Sequence, residues 1–296
     1  MKSAAFDYVR AESAEQVFDL FEQHGDAMQV LAGGQTLLAA LNMRLSHPAL
    51  LVDIGGLDGL RGITQHDGML RIGALTRHVE VEESALVAQH TPLLTQAAPH
   101  IAHRAIRNRG TFGGALAYAD PAAEWPACVL ALDGVLVLRS RRGDRRVPAA
   151  EFFLGVYTTA RAEDELLVAC EIPIAPGPER RQHFDELARR HGDYAVAGIA
   201  ACSSANMHAD GHDRAGSGAA LSDLRLVFLS LVDRPVRATD AERVLLSGPL
   251  TPALLDDAEA ALRAEIEPFA DLTHSVAVKQ QLAATLMRRA LRALAG

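Results

Sequence analysis

Two glycine pairs lie far apart in this chain and constrain its fold more than any other feature. The first sits in Leu31-Ala32-Gly33-Gly34-Gln35-Thr36-Leu37. The second sits in Thr111-Phe112-Gly113-Gly114-Ala115, with Ala119-Asp120-Pro121 close behind. A Gly-Gly pair removes two side chains and allows positive φ, so backbone N–H groups can converge on an anion. The first pair follows a short apolar run, residues 28–32, that reads as a buried strand. Helical spacing through Leu37, Leu38 and Leu41 follows it. It therefore lies on a strand–turn–helix junction, where the unpaired N–H groups of a helix start point outward. Taken singly, each pair reads as a tight turn. Taken together, they suit a ligand with two adjacent phosphates, and a dinucleotide is the first candidate. A single Rossmann turn or P-loop does not fit, because those motifs are local.

The 296 residues are 49% hydrophobic, enough for one large domain or two to three small ones. Net charge is −8, which argues against nucleic acid as a partner. The one basic cluster, residues 139–146, reads as a solvated hairpin turning at Gly143-Asp144. Its sharper reading is a docking surface for an acidic partner. Residues 1–10 show no signal segment, and no apolar run is long enough to span a membrane. A cytoplasmic protein is expected. Cys128, Cys170 and Cys202 stand singly, so they read as small buried apolar residues and not as cluster or zinc ligands. His100 and His103 are close but lack a carboxylate companion, so no metal site is expected.

Along the chain, Ser13 to Gln16 forms a capping-box pattern opening a helix that Gly25 ends. Residues 50–54 read as a strand. Residues 63–73 read as a hairpin turning at Asp67-Gly68. Helices are expected at 76–83 and 92–101. Asp120-Pro121 reads as a helix cap and first residue, with Pro126 delaying the main helix to residues 126–132. Strands follow at 135–139 and 166–174, then a linker, Ala175-Pro176-Gly177-Pro178. Beyond it, residues 184–188, 194–206 and 224–232 read as a three-stranded antiparallel sheet with a long mobile loop at 208–222. Helices at 238–246, 252–264 and 275–294 complete the chain.

Several motifs, in order, resemble the FAD-binding subunit of molybdenum hydroxylases, the family of carbon monoxide and xanthine dehydrogenases. They are the two glycine motifs, Leu51-Val52-Asp53-Ile54, Arg107-Asn108-Arg109-Gly110, and Asp120-Pro121-Ala122-Ala123-Glu124. Past the linker come Arg190-His191-Gly192-Asp193-Tyr194-Ala195, Asp233-Arg234-Pro235-Val236-Arg237, and Ile266-Glu267-Pro268 with Asp271-Leu272 and Ser275. The resemblance covers nearly the whole chain. It implies an α+β architecture: a two-subdomain FAD-binding fold of the PCMH or VAO type over residues 1–175, divided near residue 55, then a C-terminal domain over 176–296.

By the same resemblance, Leu31, Ala32, Gly33, Gly34, Gln35, Thr36 and Leu37, with Thr111, Gly113, Gly114 and Ala115, wrap the diphosphate and ribityl chain of FAD. Asp120 binds a ribityl hydroxyl, Leu167 packs near the ring or adenine side, and Tyr194 stands beside the isoalloxazine. Tyr194 reads equally well as an ordinary strand aromatic. Ala115, Tyr118, Trp125 and Val278 depart from the usual pattern. Ala115 loses a polar side chain, although its N–H is still expected to serve the phosphate.

The implied partners are a large subunit with molybdenum cofactor and a small subunit with two [2Fe–2S] clusters, as a dimer of heterotrimers. Electrons leave the FAD for an acceptor such as NAD or a quinone, and this chain supplies no acid, base or nucleophile. The rival readings are a self-contained flavin reductase of similar fold and a flavin-free scaffold.

Overall fold

The structure, a computed structural model, describes residues 2–174, 180–205 and 221–296. The linker at 175–178 and nearly all of the loop at 208–222 lie outside the described residues.

The chain opens with a parallel sheet. β1 (Asp7–Arg10), α1 (Ala14–His24), β2 (Met28–Leu31), α2 (Leu37–Asn42) and β3 (Leu50–Asp53) give the strand order β1-β3-β2. Ser13 Oγ accepts the N–H of Gln16, whose side chain accepts the N–H of Glu12, and Gly25 closes α1 at φ 47°. Val17, Phe18 and Phe21 bury the inner face of α1 against Met28, Leu50 and Val52. The strand at 7–10 has no apolar run, because most of it is exposed at the sheet edge.

The second part is built on a five-stranded antiparallel sheet. Its members are β4 (Ile63–His66) and β5 (Met69–Gly73), then α3 (His78–Glu82), α4 (Ala85–His90), α5 (Pro92–Ala97), α6 (Arg104–Arg107), α7 (Phe112–Tyr118) and α8 (Glu124–Ala131). β6 (Val135–Ser140), β7 (Gly143–Pro148), α9 (Ala149–Phe152), the small pair β8 (Phe153–Gly155) and β9 (Thr158–Thr159), and β10 (Leu166–Pro173) complete it. The order is β4-β5-β10-β6-β7. The β4–β5 turn holds Asp67 and Gly68 at φ 48° and 74°, the primed geometry that Asp-Gly favours. β10 is apolar on both faces. Leu166 and Val168 meet the core of the parallel sheet, while Leu167 and Ile172 meet the helices.

The β6–β7 hairpin turns at Arg141-Arg142, two residues before the expected Gly143-Asp144; Gly143 instead opens β7 at φ 105°. Its arginines are paired within the chain: Arg139 with Asp144, Arg141 with Asp19 and Glu22, Arg142 with Asp164, Arg145 with Glu165, Arg146 with Glu171. These partners favour the solvated-hairpin reading over an acidic-partner surface.

The helix expected at 126–132 begins two residues earlier. Pro126 is the third residue of α8, where a backbone N–H has no intrahelical partner to lose. Asp120 does not cap this helix. Its Oδ1 accepts the N–H of Ala122 in a local turn, and Ala123 occupies the cap position.

The C-terminal sheet has four strands, not three: β11 (Arg180–Leu187), β12 (Ala197–Ala205), β13 (Leu221–Leu229) and the two-residue edge strand β14 (Val236–Arg237). Two residues are too few to show a period. Alternation along β12 and β13 divides the apolar residues. Ile199, Ala201, Leu226 and Phe228 face α10 (Thr239–Leu245), α11 (Pro252–Glu265) and α12 (Val276–Ala295), whereas Ala200, Cys202, Val227 and Leu229 join the core around α8. The sheet is thus buried on both faces. Arg225 and Arg180 both donate to Ala131 O at the end of α8, where a helix terminus favours cations. The three cysteines are buried and unbridged, and burial pushes their thiols up.

Candidate functional site

β2 delivers the chain into the first glycine turn. Among the described residues, the N–H groups of Ala32, Gly33, Gly34, Gln35, Thr36 and Leu37 find no acceptor in the protein. Gly34 holds φ 73°, and Leu38 N–H returns to Gly34 O at 3.1 Å to start α2. The Thr36 hydroxyl makes no capping bond. Half-buried backbone donors left unpaired are costly, so a continuous row of them marks a place for a ligand rich in acceptors. A diphosphate fits that donor set.

The second pair works differently from the expectation. Gly113 and Gly114 are not in a loop but in the first turn of α7, and neither has positive φ. Their donors are used inside the protein. Phe112 N–H reaches Thr76 O (2.8 Å), Gly113 N–H reaches Ala74 O (2.9 Å), and Gly114 N–H reaches the capping Thr111 Oγ1 (3.2 Å). Ala115 N–H donates to Thr111 O (3.1 Å), so it is not free for a phosphate. Gly113 serves close packing. A Cβ there would fall 2.5 Å from Ala74 Cα.

The same logic joins the two motifs. A Cβ on Gly33 would overlap Arg109 O and lie 2.7 Å from Gly110 Cα. One on Gly114 would lie 3.7 Å from the Ala32 methyl. The first turn therefore rests its backbone directly on residues 109–111. Behind that segment, Trp125 Nε1 donates to His78 Nδ1 at 2.9 Å, and His78 N–H donates to Gly110 O at 3.0 Å. Burial, aided by Arg107, pushes His78 down to about 4, so it is neutral and its tautomer is fixed by Trp125.

Beyond the glycine motifs lies an aromatic cluster around Asp120. The Tyr118 and Tyr157 rings stand 4.9 Å apart, and Tyr157, at φ 53°, donates its N–H to Ala119 O. Tyr194 completes the group. It lies in the loop before β12 and not on that strand, and the residue is 65% exposed. Crowding by the surrounding protein, with the Asp120 carboxylate, nonetheless raises its phenol to about 12. Burial also raises Asp120, opposed by the Ala122 N–H. Glu124, buried at the start of α8, is pushed up to about 8 by desolvation and by Glu186 of β11. Leu167 lies in the core on β10.

Neither His78 nor Tyr157 is marked by the sequence. His78 carries no signal, because its partner Trp125 lies 47 residues away in sequence. Tyr157 carries none, because a positive φ at a tyrosine is invisible in sequence. Among the described residues no cluster of potential metal ligands occurs, and no helix is long and apolar enough to cross a membrane.

Residues 4–175 match the family described as the FAD binding domain in molybdopterin dehydrogenase, and residues 182–294 match the CO dehydrogenase flavoprotein C-terminal domain. The alpha subunit of the 6-hydroxypseudooxynicotine dehydrogenase complex of Paenarthrobacter nicotinovorans is 37% identical, over 98% of this chain and 95% of its own. The carbon monoxide dehydrogenase medium chain of Hydrogenophaga pseudoflava is 32% identical, over 97% and 96%. A solved structure of carbon monoxide dehydrogenase from that organism superposes with a TM-score of 0.91 at 33% identity, covering 99% of this chain and 98% of that one. The C-terminal match sets aside a self-contained flavin reductase, and the N-terminal match sets aside a flavin-free scaffold. Folded as a parallel-sheet unit, an antiparallel-sheet unit and a further sheet domain, the chain belongs to the FAD-binding medium subunits of the molybdenum hydroxylases, and is an oxidoreductase component.

Proposed function

We propose that this chain holds FAD across the junction of its two glycine motifs and relays electrons within a larger complex. FAD, when bound, accepts electrons at its ring and yields them to an external acceptor. The residues of this chain bind, orient and tune it. The N–H groups from Ala32 to Leu37 hold the diphosphate, with the Thr36 hydroxyl beside them; Leu31 anchors the turn in β2. Thr111, Gly113, Gly114 and Ala115 form the opposite wall, through small size and the Thr111 hydroxyl more than through free N–H groups. Asp120 accepts from a ribityl hydroxyl, Leu167 supports the site from the core, and Tyr194 stands at the ring.

The observation carrying this reading is the run of unpaired donors resting on the second motif. The three free cysteines stand apart as buried core residues, so electrons are expected from [2Fe–2S] clusters of a small partner subunit. A large molybdenum subunit completes a heterotrimer, paired as a dimer of heterotrimers in the cytoplasm. The electrons pass on to an acceptor such as NAD or a quinone. Residues 1–175, in subdomains of about 1–55 and 56–175, form the FAD-binding unit, and 176–296 the C-terminal domain.

Reconstitution tests the reading. The purified chain is expected to take up one FAD and to show a flavin absorbance spectrum. A colourless protein that retains no FAD after incubation and desalting would refute it.

A further inference from the structure

Ser230 follows β13, outside every motif described above, yet three segments converge on it. Its N–H donates to Pro121 O at 2.8 Å, and its hydroxyl donates to Ala195 O at 2.5 Å. Its own carbonyl accepts from Lys279 Nζ at 3.3 Å. Its φ is 65°, a region disfavoured for any residue with a Cβ. All three polar groups of this serine, its N–H, hydroxyl and carbonyl, are satisfied by segments distant in sequence, in a conformation that a side chain resists.

The partners matter because of their neighbours. Pro121 follows Asp120 in the N-terminal half. Ala195 follows Tyr194 in the C-terminal half. One residue thus ties together both sides of the aromatic cluster. Lys279 is itself buried, and its ammonium also meets Asp271 Oδ2 at 3.1 Å. Asp271 Oδ1 in turn collects the N–H groups of Thr273 and His274 ahead of α12. A continuous polar chain therefore runs from the start of α12 through Lys279 to Ser230, and from there to both ring-end segments.

We propose that Ser230 is a positioning residue for the ring end of the site: it fixes Asp120 and Tyr194 relative to each other, with Lys279 seating it from the C-terminal domain. The inference rests on the FAD reading of those two residues. It assigns the C-terminal domain a part in shaping the cofactor's surroundings.

Ser230→Ala removes the bond to Ala195 and leaves the bond to Pro121. Hydrogen exchange of the FAD-free protein is then expected to rise about fivefold in residues 189–196, the effect of one lost hydrogen bond, with residues 31–37 unchanged. With FAD added, the visible circular dichroism of the flavin is expected to change while its Kd stays within about threefold, because the diphosphate donors are untouched. Lys279→Met is expected to give the same local signature. Wild-type exchange at 189–196 together with an unaltered flavin signal would overturn the proposal, as would a rise spread evenly over the chain. Failure of the wild type to bind FAD would instead remove the cofactor reading and leave the exchange arm to judge the positioning role.

Discussion

Glycine at four positions does three different jobs here, and substitutions separate them. Gly34 supplies a positive φ that a side chain resists. Gly33 lets the first turn lie on the backbone of residues 109–111, and Gly113 lets α7 lie on Ala74. Gly114 leaves room only for the Thr111 hydroxyl, 2.6 Å from where its Cβ would be. Gly113→Ala must displace backbone, so it is expected to lower the stability of the FAD-free protein by about 1–3 kcal/mol, read from its urea midpoint. Gly33→Ala is expected to weaken FAD binding at least about tenfold by prising the two motifs apart, with less effect on stability. Gly114→Ala meets only a side chain and is expected to cost about 1 kcal/mol through the disturbed cap. Equal losses of FAD affinity in all three would contradict this division.

Among the elements, α8 links the largest number of chemical events. Its first residue, Glu124, is a buried acid; its second, Trp125, fixes His78; its last carbonyl receives Arg180 and Arg225. The two titrations have opposite signs. Glu124 is raised from 4.5 to about 8, so its stabilising contribution is complete below 4.5 and is lost as pH rises through 8. His78 is lowered from 6.5 to about 4, so its contribution is complete above 6.5 and is lost as pH falls through 4. Between about 4.5 and 6.5 the slopes oppose; above 6.5 only Glu124 acts, at no more than about 1.4 kcal/mol per pH unit. Glu124→Gln is therefore expected to flatten the decline of the urea midpoint between pH 6.5 and 8. An unchanged slope in that variant would count against the assignment.

α8 also marks the limit of what the sequence discloses. Strand–turn–helix at Gly33-Gly34 and the Asp67-Gly68 hairpin were legible, because local spacing and turn chemistry decide them. Pro126 misled, since its position within the first turn depends on where the chain stops turning at Asp120. Gly113 and Gly33 were found, but for another reason, because the backbones they approach are distant in sequence. Asp7 to Arg10 and Val236-Arg237 are edge strands, too exposed or too short to leave a period. Ser230 has no sequence mark at all.

At the scale of the whole molecule, the C-terminal sheet shares one continuous core with the helices of the middle part. Phe184, Ala200, Cys202, Val227 and Leu229 cover the same cluster as Trp125 and Cys128. The fragment 1–174 would expose that cluster to water, an apolar patch of the kind that drives association. It is expected to aggregate or bind a hydrophobic dye, and to hold FAD poorly, although it carries both glycine motifs. A monomeric, dye-free fragment with full FAD affinity would show the halves to be independent.

The sealed cysteines make the intact chain a convenient object for labelling. Cys128, Cys170 and Cys202 are almost wholly inaccessible, with thiols that resist ionisation. A cysteine introduced at exposed Glu15 or Arg142 would be the one that a maleimide finds quickly, with no native cysteine removed. A dye at either position would report on its own surroundings, the parallel-sheet unit or the β6–β7 hairpin, as cofactor or a partner is added.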